Sequence, residues 1–156
     1  MRRVVVTGLG VVSPIGNDAA EVETSLRAGR SGIAFVPEMA EHGFRSQVAG
    51  TLKLDPASRL DKRRLRFMGP GAAFAAIALE QAVADAGLTE AEVSHERTGL
   101  IAGSGGPSTS ALFAAHQSVI ATGATKRIGP FAVPKAMCST VSANLATAYR
   151  IKGLSY

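Results

Sequence analysis

Apolar positions fall in short blocks broken by glycine. Val4-Val5-Val6 runs straight into Thr7-Gly8-Leu9-Gly10, then Val11-Val12-Ser13-Pro14-Ile15-Gly16. That pattern predicts a buried parallel strand followed by a tight turn. Asn17 or Asp18 caps a helix to Ala28, which Gly29 ends. Gln47 to Leu52 alternates and predicts an edge strand. Pro56 to Phe67 is basic and predicts a short helix. Gly71 to Gly87 is alanine-rich and apolar nearly all round, the pattern of a helix buried within a large protein. Thr89 and Glu92 form a capping box for one more turn. Thr98 to Gly103 predicts a second buried strand, and Thr109 to Ala121 a helix. Gly129 to Pro134 reads as irregular and extended, and Ser139 to Ile151 as a last helix closed by Gly153. Strands alternating with helices predict an α/β fold. The strong strands are few for so many helices, so the chain reads as part of a sheet protein.

Composition narrows the classes. The 156 residues suit one domain, which buries about 68–70% of its unfolded surface. A hydrophobic content of 46% supports a packed core rather than disorder. No stretch approaches the roughly 20 apolar residues of a membrane span. Met1-Arg2-Arg3 is basic, but no small-residue cleavage site follows, so a secretory signal is not expected. One cysteine excludes an internal disulfide and suits a reducing cytoplasm. The net charge of +5 predicts an acidic partner. Few aromatics, no tryptophan and no recognised motif argue against nucleic acid.

Several residues invite a chemical reading. Gly8 and Gly10 fit the first two glycines of a dinucleotide fingerprint, but Ser13 stands at the third. Asp18, Glu21, Glu23 and Glu38 are the acids in range, and none closes a second strand to grip a ribose. A strand and turn that simply open a sheet are favoured. Cys138 is the candidate nucleophile, yet a catalytic thiol needs a base. Nothing places His42, His95 or His116 beside it, and its small apolar neighbours favour a packed side chain. No zinc-type ligand spacing occurs, and no metal is expected. Ser104-Gly105-Gly106-Pro107 either binds an anion through backbone amides or admits another chain or acyl group closely. Arg59, Lys62, Arg63, Arg64 and Arg66 crowd around Asp61. They form either a solvated face or a salt-sensitive docking face for something acidic.

Taken together, these stretches resemble one family. The carriers are Val5 through Gly16, Arg27-Ala28-Gly29-Arg30-Ser31-Gly32-Ile33, Asp61 through Met68, Glu80 through Leu88, Gly99 through Gly106 and Pro134-Lys135-Ala136-Met137. The chain resembles the N-terminal part of the bacterial β-ketoacyl-acyl carrier protein synthases of the elongating type. Arg45-Ser46 and Arg66-Phe67-Met68 look most like the first isoform class. The resemblance implies a thiolase-like fold with αβαβα layers, of which residues 1–156 supply most of the N-terminal half. It implies decarboxylative Claisen condensation of an acyl thioester with malonyl-carrier protein, in a cytoplasmic homodimer without cofactor.

By the same resemblance, the nucleophilic cysteine lies just beyond Tyr156 and the enolate-stabilising histidines lie far downstream. Cys138 matches no nucleophile, and the histidines present match no catalytic one. Gly106 matches the residue that gates the acyl pocket. Met137 matches one that lines the neighbouring subunit's pocket. Lys62, Arg63 and Arg66, with Lys126 and Arg127, match the surface that receives acyl carrier protein. The expectation is a segment that is inactive by itself. The alternatives are a non-catalytic, carrier-binding or heteromer-completing piece, and a nucleotide-binding α/β domain.

Overall fold

The computed structural model describes residues 3–156, so the basic opening Met1-Arg2 lies outside the described residues. In chain order the elements are α1 (Ala19–Arg27), β1 (Ile33–Phe35), α2 (Pro37–Glu41), β2 (Val48–Gly50), α3 (Lys62–Leu65) and α4 (Pro70–Asp85). They continue with α5 (Glu90–Val93), α6 (Thr109–Thr122), α7 (Ala132–Ala136) and α8 (Thr140–Ala148). Single 3-10 turns cover Pro56–Ser58 and Thr125–Arg127. The described residues divide into two units: residues 3–55 with 78–86, and residues 56–77 with 87–156.

In the first unit, the Asp18 side chain accepts from the Glu21 N–H at 2.8 Å and starts α1. Gly29, at φ +62°, carries the chain away after it. Such a φ costs glycine nothing, because it has no Cβ to clash. The buried Ser25 hydroxyl donates to the Ile15 carbonyl at 2.6 Å and fixes α1 against the glycine segment. The alternating Gln47–Leu52 run does form a strand, as β2. It pairs antiparallel with β1, Phe35 opposite Val48 and Ile33 opposite Gly50.

The opening strand is a correction. Residues 4–6 form no strand, and Val4 and Val6 are 94% and 89% exposed. An apolar run becomes a strand only when another backbone offers it a ladder, and among the described residues none does. The segment behind it is held by side chains of α4 instead. The Leu9 N–H donates to Asp85 Oδ2 at 2.9 Å and the Val11 N–H to Gln81 Oε1 at 3.0 Å. Gln81 Nε2 then donates to the Asn17 carbonyl at 2.7 Å.

The apolar core lies in the second unit. Its buried members are Leu60, Met68, Val93, the α4 face Ala72, Ala73, Ala76 and Ile77, and Val141 and Leu145 one turn apart on α8. Burial of α4 is strongest over those positions, whereas residues 78–83 are half-buried, so the all-round burial expected is only partly present. The Thr89–Glu92 capping box forms as read. Thr89 donates to the Glu92 carboxylate through its backbone N–H (2.8 Å) and its hydroxyl (2.7 Å). These bonds, the backbone one foremost, hold that carboxyl below its ordinary range.

Three further expectations change. The Thr98–Gly103 segment pairs in parallel with residues 153–156, through Leu100 N–H to the Leu154 carbonyl (2.8 Å) and Ala102 N–H to the Tyr156 carbonyl (2.9 Å). It is not buried, since Ile101 is 88% exposed. The segment expected to be extended, Gly129 to Pro134, instead enters α7. Pro134 falls in the first turn, where the missing N–H removes no helical hydrogen bond. The last helix is also shorter than expected. The chain turns at Arg150, φ +50°, and the Ile151 N–H closes on the Ala146 carbonyl at 2.9 Å.

Candidate functional site

The candidate docking and acyl-pocket residues, with Cys138, lie in the second unit. Asp61 caps the cationic turn α3, accepting from the Arg63 N–H at 2.6 Å. Lys62, Arg63 and Arg66 are exposed and Arg64 is half-buried. Lys62 and Arg66 stand one turn apart, as do Arg63 and Arg66, so their charges cover one short stretch of surface. Below them, Phe67 meets Phe131 edge to face, with centroids 5.1 Å apart. Asn144 of α8 donates its amide to the Phe67 carbonyl at 3.1 Å and to the Thr140 carbonyl at 2.8 Å, which ties α8 to the end of the basic segment.

A cavity of about 460 Å³ opens there. Arg63 and Met137 both line it, with Phe67, Met68, Pro134 and Asn144 among their neighbours. The structure therefore brings together one predicted docking cation and one predicted pocket residue. Gly106 lines a different cavity of about 220 Å³, beside Ser104, Pro107 and Thr140. The Ser104 hydroxyl donates to the Gly106 carbonyl at 2.7 Å. A Cβ built on Gly106 meets nothing within 4 Å, so the position has room for a side chain. Lys126 and Arg127 sit exposed on the turn after α6, pinned by the Ser118 hydroxyl donating to the Arg127 carbonyl at 3.2 Å. They line neither of these cavities.

Sequence reasoning missed part of this site. Phe67 and Met68 stand out only within the family-like stretch Asp61 through Met68, and nothing in the sequence singles out Asn144. Gly69 was also overlooked. A Cβ there would lie 2.8 Å from the Ser108 Cβ and 3.1 Å from the Lys135 carbonyl oxygen, so its lack of a side chain lets three segments converge. The pattern Phe67-Met68-Gly69-Pro70 carries a signal in retrospect: two large apolar residues precede a glycine at a helix start.

Cys138 requires a correction. It is exposed in the link between α7 and α8, so it is not the packed apolar group that its neighbours implied. Among the described residues, no group of three or more His, Cys, Asp and Glu side chains is placed to hold a metal ion. No helix there is long and apolar enough to cross a membrane.

The glycines of the opening segment also have a visible use. A Cβ on Gly8 or Gly10 would run into the α4 backbone, at the Ala82 and Ala78 carbonyl oxygens respectively. The close approach belongs to a helix backbone, which leaves a phosphate no claim on these glycines.

This mixed α/β architecture is that of the thiolase-like ketosynthases. The chain belongs to the β-ketoacyl synthase family: the description of its N-terminal domain matches residues 1–156. It is 50% identical, over its whole length, to 3-oxoacyl-[acyl-carrier-protein] synthase 1 of Haemophilus influenzae, and spans 38% of that relative. Among solved structures, the ishigamide ketosynthase/chain length factor matches 99% of the chain at TM-score 0.86 and 27% identity, over 39% of its own length. A type II polyketide ketosynthase, AntDE, solved with its acyl-carrier protein AntF and bound to the hexaketide, matches 95% of the chain at TM-score 0.73. At 17% identity, over 39% of that chain, it shares the fold alone.

Proposed function

We propose that the chain is the N-terminal segment of a β-ketoacyl-acyl carrier protein synthase, ending before the nucleophile region, and that the complete protein elongates acyl chains. In that reaction an acyl thioester on the enzyme is attacked by the carbanion left when malonyl-carrier protein loses CO2. A carbon–carbon bond forms, β-ketoacyl-carrier protein leaves, and the enzyme thiol is regained. The segment contributes scaffold, a wall of the acyl pocket and the face that receives the carrier. Lys62, Arg63, Arg66, Lys126 and Arg127 are the docking cations, Gly106 gates the acyl pocket, and Met137 lines that of a twofold-related subunit. Cys138 takes no catalytic part. The complete protein works in the cytoplasm as a homodimer.

One observation carries the reading above all. Arg63 of the basic turn and Met137 line one cavity, so a carrier docked by its acids on α3 would sit at an apolar opening. The 50% identity to a named synthase supports it. The carrier seated on the polyketide ketosynthase offers a parallel for the partner.

The test is Arg63→Glu with Arg66→Glu in the complete protein. Carrier binding should weaken at least tenfold at low salt, while thermal stability changes little, because exposed charge contacts are worth only about 0–1 kcal/mol each. Unchanged carrier affinity at low salt would count against the docking role.

A further inference from the structure

α3 is too short to hold its own shape. It has 4 residues, Lys62–Leu65, and isolated helices much longer than that are marginal in water. Its start is fixed by the Asp61 carboxylate at the Arg63 N–H. Two bonds close the turn beyond it, Phe67 N–H to the Arg64 carbonyl (3.1 Å) and Met68 N–H to the Leu65 carbonyl (3.3 Å), but they tie it only to itself. The Phe67 ring rests edge to face on Phe131, which holds the side chain and leaves the backbone direction open. The backbone is held from α8. Asn144 donates one amide N–H to the Phe67 carbonyl at 3.1 Å, from 77 residues further along the chain. Its other N–H goes to Thr140, one turn back on α8, with the carbonyl at 2.8 Å and the hydroxyl at 3.2 Å. That second bond keeps the amide in one orientation. α8 is a firm base for it, since Thr140, Val141, Ser142 and Leu145 are buried.

The geometry points to Asn144 as a positioning residue for carrier docking: by holding the Phe67 carbonyl it fixes the backbone that bears Arg63 and Arg66. This role rests on the docking function proposed above for those cations. Their side chains are exposed and keep their own rotamer freedom. What the tether supplies is a backbone already in place when the carrier arrives. A turn that must be ordered on binding loses part of the contact energy to that ordering, and a preordered one does not. Asn144 therefore acts on the docking step and leaves the condensation step alone. Leucine or alanine at this position keeps α8 helical, because both are better helix formers than asparagine, but neither offers a donor to Phe67.

The test uses Asn144→Leu and Asn144→Ala in the complete protein, with melting temperatures confirming that both fold. The two differ in bulk and share only the loss of the amide. In each, KM for malonyl-carrier protein should rise about three- to tenfold, the worth of one hydrogen bond, with kcat held within about twofold. Malonyl-N-acetylcysteamine, a thioester with no carrier surface, should be turned over as by the parent. Backbone amide exchange across residues 62–69, followed by mass spectrometry, should quicken about three- to tenfold in both variants. Equal losses with the carrier-bound and carrier-free substrates, an unchanged KM for malonyl-carrier protein, or unchanged exchange would each overturn the proposal. Arg63→Glu with Arg66→Glu separates it from the reading beneath it. If that pair weakens carrier binding and Asn144→Leu does not raise KM, the positioning role falls alone. If that pair leaves carrier affinity untouched, the docking reading falls and the positioning role falls with it.

Discussion

Gly10 and Gly106 show how differently two glycines can be used. A Cβ at Gly10 would press on the Ala78 carbonyl and lie 2.8 Å from the Ala82 nitrogen, both fixed backbone of α4. Helix backbone cannot swing aside as a side chain can. Gly10→Ala should therefore cost about 1–3 kcal/mol of stability, read as a lower melting temperature. Gly106→Ala should cost almost nothing, because its Cβ meets open space and its φ is not positive. A bulkier residue at Gly106 should leave the fold intact and shorten the acyl chains the complete enzyme accepts. A product profile identical to the parent would remove Gly106 from the pocket. Glu92 gives a prediction in pH. Its folded-state carboxyl is held below the ordinary range by Thr89. The bond therefore contributes stability at neutral pH, and that contribution is lost as pH falls through the depressed value. Thr89→Ala removes the hydroxyl bond and keeps the stronger backbone one, so it should return the Glu92 titration, followed by NMR, only part of the way toward the ordinary carboxylate range.

At the scale of elements, what the sequence revealed was local chemistry. The Thr89–Glu92 box, the Asp18 cap of α1 and the Gly29 turn after that helix each depend on a few neighbouring residues, and each is present. What it hid depends on partners. Val4-Val5-Val6 reads as a buried strand from its own residues, but burial and pairing come from other backbones, and residues 4–6 have none among those described. Pro134 reads as a breaker unless its position in the first turn of α7 is known. The site was legible in the same uneven way. The cations of α3 announce themselves by density. That Arg63 shares a cavity with Met137, far along the chain, emerges only when α3, α7 and α8 come together. Cys138, read as packed from its small neighbours, lies exposed because the link between α7 and α8 runs over the surface.

For the molecule as a whole, the family match and the share of each relative covered set the expectations. The chain spans 38% of its Haemophilus influenzae relative. It carries the basic turn and the cavities, and in the proposed function its single cysteine takes no catalytic part. These 156 residues by themselves should show no condensing activity. Detection of β-ketoacyl product from this polypeptide alone would sink that claim. The nucleotide-binding alternative predicts a rise in melting temperature with NAD(P), whereas glycines filled by α4 predict no shift. The central claim is that this segment belongs to a carrier-dependent condensing enzyme. The most direct measurement is a mass-spectrometric product assay of the complete protein with acyl-carrier protein and malonyl-carrier protein as substrates. The account predicts a carrier-bound β-ketoacyl chain two carbons longer than the acyl substrate, with CO2 released. A folded protein that binds the carrier yet yields no elongated product would contradict it.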